Sequence, residues 1–339
     1  MKGIDFMIVY YISAVILVIL FVFITGFHDE GNLIATIITS RSINVYIIFA
    51  LAAASEFLGT CLLGTKVASN TINGILNLKY IIKSPDKICM MLCATMLGAI
   101  VWNFITWIYS IPSSSSHAII GGLMGPFVVK FGMKIINLHG LILNVLMPLF
   151  TSPLIGFIFG YAILKLNKLF FENSDIKINK FFKSFQALTC IFMNAFQGSN
   201  DAQKGMGIIA ILIMVNHNKN TLIIPSKIIF ISAAAISCGL VLGGLKMIKS
   251  VGTKIYKVKP LHSMSAQLSS SIVIIISSAL GLPISGTQIV NSSILGVGAA
   301  ERPGDVGWQY AKNMFKAWFI TIPASFLLSA LFYVILNLL

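Results

Sequence analysis

Two short stretches carry side chains that belong together chemically. Ser113, Ser114, Ser115 and Ser116 follow Pro112 and precede His117; Ser285, Gly286, Thr287 and Gln288 follow Pro283 and Ile284. Each stretch interrupts strongly apolar sequence with a proline and small hydroxyl side chains, then resumes as an apolar, glycine-containing helical pattern. Proline suits the first turn of a helix, and the N–H groups after it have no intrahelical acceptor. Those amides and the hydroxyls can therefore converge on an anion at the positive end of the helix dipole. Aligned on the prolines, Ser114 corresponds to Ser285, Ser116 to Thr287 and His117 to Gln288. The two stretches read as halves of one site for a tetrahedral oxyanion.

A second pair of motifs is acidic. Asp29, preceded by His28 and followed by Glu30 and Asn32, and Asp201, preceded by Asn200 and followed by Lys204, lie in or beside apolar spans, as does Glu56. An ionised side chain at mid-bilayer costs at least about 2.5–3.5 kcal/mol, so such residues point to function. Asp29 and Asp201 are candidates to coordinate a cation, to accept a proton, or both. The carbonyl oxygen of Asn32 suits a bound sodium ion, whereas Lys204, its counterpart, brings its own ammonium. His28 and His117 are candidate proton carriers, and Glu56 has no obvious counterpart in the second half. Cys89 and Cys93 have no further ligand nearby, so no metal site and no resident cofactor is indicated.

The elements that must position these residues are membrane helices. Of the 339 residues, 57% are hydrophobic and 10% charged, and the mean hydropathy is +0.92, outside the range of soluble globular domains. Apolar stretches at about 6–25, 44–64, 88–109, 117–131, 140–164, 185–215, 226–245, 264–281, 289–300 and 314–337 predict an all-α polytopic membrane protein with about 10–12 embedded helical segments. The segments after the two prolines are the short ones. The first span lacks a small-x-small cleavage pattern and reads as a retained helix. The net charge of +14 gathers in connections, Lys165, Lys168, Lys177, Lys180 and Lys183 in one, Lys246, Lys249, Lys254, Lys257 and Lys259 in another, which fits the positive-inside bias rather than a nucleic-acid partner.

Asp29 and Asp201 are 172 positions apart and Pro112 and Pro283 are 171 apart, so two different motifs recur at nearly one offset. That pattern predicts an internal duplication: a first transmembrane repeat over 1–164, a basic connecting loop over 165–184, and a second repeat over 185–339. A midplane site between interrupted segments favours repeats of inverted topology.

At these four motifs the sequence resembles the inorganic phosphate transporter (PiT) family, its bacterial low-affinity branch above all. The likeness rests on Gly26-Phe27-His28-Asp29 with Asn32, Ser199 to Lys204 with Met206 to Ile209, Pro112 to Gly122, and Gly281 to Ser285 with Gly296 to Ala299. The resemblance implies two re-entrant helical hairpins meeting at phosphate and a homodimer in the bacterial cytoplasmic (inner) membrane. It also implies a secondary active carrier, working by alternating access, that imports phosphate alone or as a complex with a divalent metal. Lys204 matches the branch that resembles proton-coupled carriers, so H+ is the expected coupling ion and Na+ the alternative. Two departures stand out: the second hairpin of the family usually reads Ser-Thr-Thr-His where this chain has Ser285 to Gln288, and a histidine often stands where this chain has Gln197.

On this reading Ser113, Ser114, Ser115, Ser116, Ser285, Thr287 and Gln288 bind substrate. His28, Asp29, Asn32, Glu56, Asn200, Asp201 and Lys204 handle the coupling cation or proton. A sulfate permease is the near alternative, since both anions are tetrahedral. An intramembrane serine hydrolase using His117 as base is the distant one, and no nucleophile-elbow pattern supports it. A channel differs from either carrier in that uptake would neither saturate nor accumulate.

Overall fold

The computed structural model describes residues 2–81, 87–109, 111, 113–171, 178–217, 221–256 and 258–338. Pro112, Lys177 and Lys257 lie outside the described residues. Helix α1 (Lys2–Thr25) passes through a π-helical turn, Gly26–Glu30, into α2 (Gly31–Thr39). Then follow α3 (Val45–Leu62), α4 (Lys66–Ile75), α5 (Ile88–Ile108), α6 (Ser115–Phe131) and α7 (Met147–Phe171). The second half holds α8 (Ile178–Asn216), α9 (Ser226–Lys254), α10 (Pro260–Ala279), α11 (Gly286–Glu301) and α12 (Trp308–Leu338). Shorter helical turns at Leu78–Ile81, Met133–Ile135, Leu138–Gly140, the π-helical Leu141–Leu146 that leads into α7, and Pro303–Asp305 complete the described set, and among the described residues the sole extended pairing is one bridge, Leu76 with Ile136.

Local sequence explains where these helices begin and end. Asn44 caps α3 by accepting from the Tyr46 amide at 2.9 Å. Pro225 precedes α9 in extended conformation and Pro260 opens α10, both placements that spare a backbone donor. Gly132, at φ 72°, stops α6, and Gly281, at φ 76°, turns the chain out of α10 towards α11; both angles favour glycine.

Among the described residues six stretches are long and apolar enough to cross a bilayer: Ile8–Thr39, Val45–Leu62, Ile88–Ile108, Leu138–Phe170, Ser226–Gly243 and Trp308–Leu338. This is an integral membrane protein. Ile8, Ile12, Ile16 and Leu20, four residues apart along α1, stay exposed, as a lipid-facing stripe requires. Helices α6 and α11, at 17 and 16 residues, fall short of the roughly 20 needed to span, as interrupted segments should. The lysine-rich connections differ from expectation: Lys165 and Lys168 belong to α7, Lys180 and Lys183 to α8, and Lys246, Lys249 and Lys254 to α9. Lysine is a good helix former, so the charges ride on helical extensions instead of loops.

The two halves are interlocked rather than adjacent. The hairpin helix α6 packs along α12, and its equivalent α11 packs along α7. Likewise α8 packs on α3, while α1, the π turn and α2 pack on α9. Glycines allow the closest approaches. A Cβ on Gly125 would stand 2.3 Å from Ser329 Oγ and 2.4 Å from the Phe326 carbonyl oxygen; one on Gly296 would stand 2.0 Å from that of Phe157. Gly125 and Gly296 are 171 positions apart, so equivalent residues seat each hairpin helix on the last helix of the other half.

Candidate oxyanion site

The first hairpin is held at its N-terminus by four contacts. Ser114 is the cap of α6, accepting from the His117 amide at 3.3 Å, and Ser113 Oγ donates to Thr106 Oγ1 at 2.8 Å. Asn103 Nδ2 donates to Ser115 Oγ at 3.1 Å, and the Ser115 amide donates to Asp29 Oδ2 at 3.1 Å. The carboxylate thus meets one of the free amides at the positive end of α6. Its other oxygen meets His28 Nδ1 at 2.6 Å, and His28 Nε2 lies 3.5 Å from Thr106 Oγ1. The π turn makes this possible, because its wider winding turns His28, Asp29 and Glu30 all inward; each is buried.

Asn200 braces the second hairpin. Its amide nitrogen donates to Ser278 Oγ at 3.0 Å and to the Leu282 carbonyl at 2.9 Å, and its oxygen accepts from the Ile284 amide at 3.3 Å. Ser285 begins α11 without a side-chain capping bond, which leaves its hydroxyl and the first-turn amides available to a ligand.

The two hairpins meet. Ser116 Oγ donates to the Ile284 carbonyl at 2.8 Å, and Gln288 Nε2 lies 3.1 Å from His117 Nδ1. Lys204 Nζ donates to Ser116 Oγ at 2.5 Å, to the Ile284 carbonyl at 2.7 Å and to Asp201 Oδ1. Asn32 Nδ2 donates to Thr287 Oγ1 at 3.1 Å. Asn32 and Lys204 are 172 positions apart and Ser116 and Thr287 are 171 apart, the offsets of the paired motifs, so matched positions make the same contact reciprocally. Ser113 to Ser116, Ser285, Thr287, Gln288, Asp29, Asn32, Asn200, Asp201, Lys204 and His28 form one buried polar region. Glu56 is buried as well, and it belongs to the edge of this region, beside Glu30.

Gln197 and Gly286 explain each other. A Cβ on Gly286 would stand 2.6 Å from Gln197 Cδ, and Gln197 Nε2 donates to Asp201 Oδ2 at 2.9 Å. The long amide side chain occupies the space a hydroxyl residue at 286 would need. Gly286→Thr is expected to cost about 1–3 kcal/mol by overpacking. Added to Gln197→Ala, its cost should shrink, with a coupling of about 0.5–3 kcal/mol in a double-mutant melting cycle in detergent. Simple additivity would mean that the two positions are independent.

The contributions of Glu30, Gln197, Asn103 and Thr106 were not apparent from sequence. Two of them carried a signal, Glu30 as an acidic residue beside an apolar span and Gln197 as a departure from the family pattern; Asn103 and Thr106 are ordinary polar residues within helices.

Comparison with known proteins identifies the family. Residues 25–329 match the model of a family described as the phosphate transporter family. The chain belongs to that family. It is thus a transporter and not an enzyme, and phosphate is the family's substrate. A Bacillus subtilis protein named a probable low-affinity inorganic phosphate transporter is 39% identical over 98% of this chain and 99% of its own length. A Rhizobium meliloti protein of the same name is 34% identical over 95% of both. A solved structure titled "The sodium-dependent phosphate transporter" superposes on 98% of this transporter, and on 100% of its own chain, with a TM-score of 0.87 at 23% identity, which shows a shared all-helical fold.

Proposed function

We propose that this transporter imports inorganic phosphate across a bacterial cytoplasmic membrane by alternating access, driven by protons. The observation that carries the reading is the position of Lys204. Its ammonium sits where the two hairpins touch, against Ser116, the Ile284 carbonyl and Asp201. There it supplies a fixed positive charge beside two hydroxyl-rich helix starts, and it fills a place that a coupling cation would otherwise take. Phosphate near neutrality can also donate a hydrogen bond to a carboxylate such as Asp29, which sulfate cannot do. The reciprocal packing of α6 on α12 and α11 on α7 supports two repeats of inverted topology rocking about this junction.

The test is uptake of radiolabelled phosphate into proteoliposomes under an imposed proton or sodium gradient, with excess sulfate as competitor. Accumulation driven by protons and resistant to sulfate is expected. Drive by sodium alone would overturn the coupling assigned here, and strong sulfate competition would overturn the choice of anion. Running the same uptake with and without magnesium separates free phosphate from a metal–phosphate complex.

A further inference from the structure

Glu30 and Glu56 are buried carboxyl groups with a shared anomaly. Glu30, in the π turn, is 1% exposed and Glu56, on α3, is 0% exposed. None of their four carboxyl oxygens has a hydrogen-bond donor. The two side chains nevertheless neighbour each other, and Glu30 also neighbours Asp201. Carboxylate oxygens only accept, so two ionised groups cannot bond; one proton between them turns unpaired acceptors into an O–H···O bond. Leaving both ionised would place like charges together in a site without water access.

Among the described residues no neighbouring cation relieves them. Lys204 has three ammonium protons, and they go to Asp201, Ser116 and Ile284. The second oxygen of Asp201 takes the amide of Gln197. From α8 the pair meets Asp201 and, near Glu56, the Cys190 thiol. From α9, Ile236, Gly239 and Gly243, all uncharged, pack on the π turn. A Cβ on Gly198 would stand 2.7 Å from Glu56 Cγ, so the side chain is fixed in place.

We infer that Glu30 and Glu56 form one proton-binding site and that its proton is loaded and released in each transport cycle. This rests on the proton-driven reading above. The geometry supplies the link to substrate. Glu30 follows Asp29, which holds the Ser115 amide, and neighbours Asp201, whose partner Lys204 holds Ser116. Loading or releasing the proton acts on both contacts that fix the serine hairpin.

The test uses Glu30→Gln and Glu56→Gln in proteoliposomes, with two assays: accumulation driven by a proton gradient, and phosphate exchange at equal pH. The amide mimics the protonated acid, so exchange should persist while gradient-driven accumulation is lost and the pH dependence of exchange flattens. Glu56→Asp should recover part of the gradient response. The double variant should do no worse in exchange than either single one. Accumulation retained by both glutamine variants overturns the assignment, as does an additive loss of exchange. A wild-type protein driven only by sodium instead strikes the proton-driven reading itself. Should the variants fail to assemble, infrared spectra of the wild type decide: a protonated-carboxyl C=O band at neutral pH that fades on alkalinisation supports the pair, and its absence overturns it.

Discussion

Lys204→Met is expected to destabilise the protein by about 3–5 kcal/mol and to reduce phosphate uptake to the level of empty vesicles. The ammonium uses each of its three donors: one on Asp201 within its own helix, one on Ser116 at the start of the first hairpin, one on the Ile284 carbonyl just before the second. Both charged partners are buried, the Lys204 and Asp201 side chains being 3% and 6% exposed. Removing the lysine strands a carboxylate whose remaining donor is the Gln197 amide. Arginine is not a substitute, because its planar fork cannot point three ways from one nitrogen. Adding Asp201→Asn removes the stranded charge and should recover much of the melting temperature in detergent, yet uptake should stay absent because the two hairpins are still unjoined. A single variant that melts like the wild type would remove the central role given to this contact.

Asp29→Asn should behave in the opposite way, folding normally while losing transport. An asparagine oxygen can still accept from the Ser115 amide, and its nitrogen can face His28, so stability should stay within about 1 kcal/mol of the wild type. What disappears is a negative charge at the positive end of α6, where phosphate and any mobile proton must be handled. Both accumulation and equal-pH exchange should fall to background, in contrast to the Glu30 and Glu56 variants, in which exchange should persist. If Asp29→Asn exchanges phosphate at the wild-type rate, the carboxylate serves only to hold the hairpin.

Much of this was legible in the chain because it is written in local chemistry. A proline and four hydroxyl residues in an apolar run announce a helix start within the membrane, and the 171- and 172-residue offsets pair the residues of the two halves. What the offsets cannot say is which equivalent residues touch. Asn32 reaching Thr287 and Lys204 reaching Ser116 are contacts across the halves, set by packing rather than by spacing. Glu30 was obscured because, next to Asp29, it looks like part of a polar turn at the end of a span; only the π winding brings both inward. Gln197 and Gly286 looked like two separate departures from the family pattern until their side-chain space proved to be shared. Not every embedded segment is a full apolar span: among the described residues six stretches qualify by length and composition, and α8 and α10 do not because they carry the polar residues that build the site and its supports.

The exchange of hairpins between halves also bears on how the molecule is made. As the chain leaves the ribosome, α6 enters the bilayer long before α12, the helix on which it rests, has been synthesised. More than half the chain must be added before the first serine segment has a seat, and contacts so distant in sequence form late and slowly. A chain truncated ahead of Trp308 should therefore insert its earlier spans yet leave both the first hairpin and its buried polar groups unsupported, a ready target for membrane quality control.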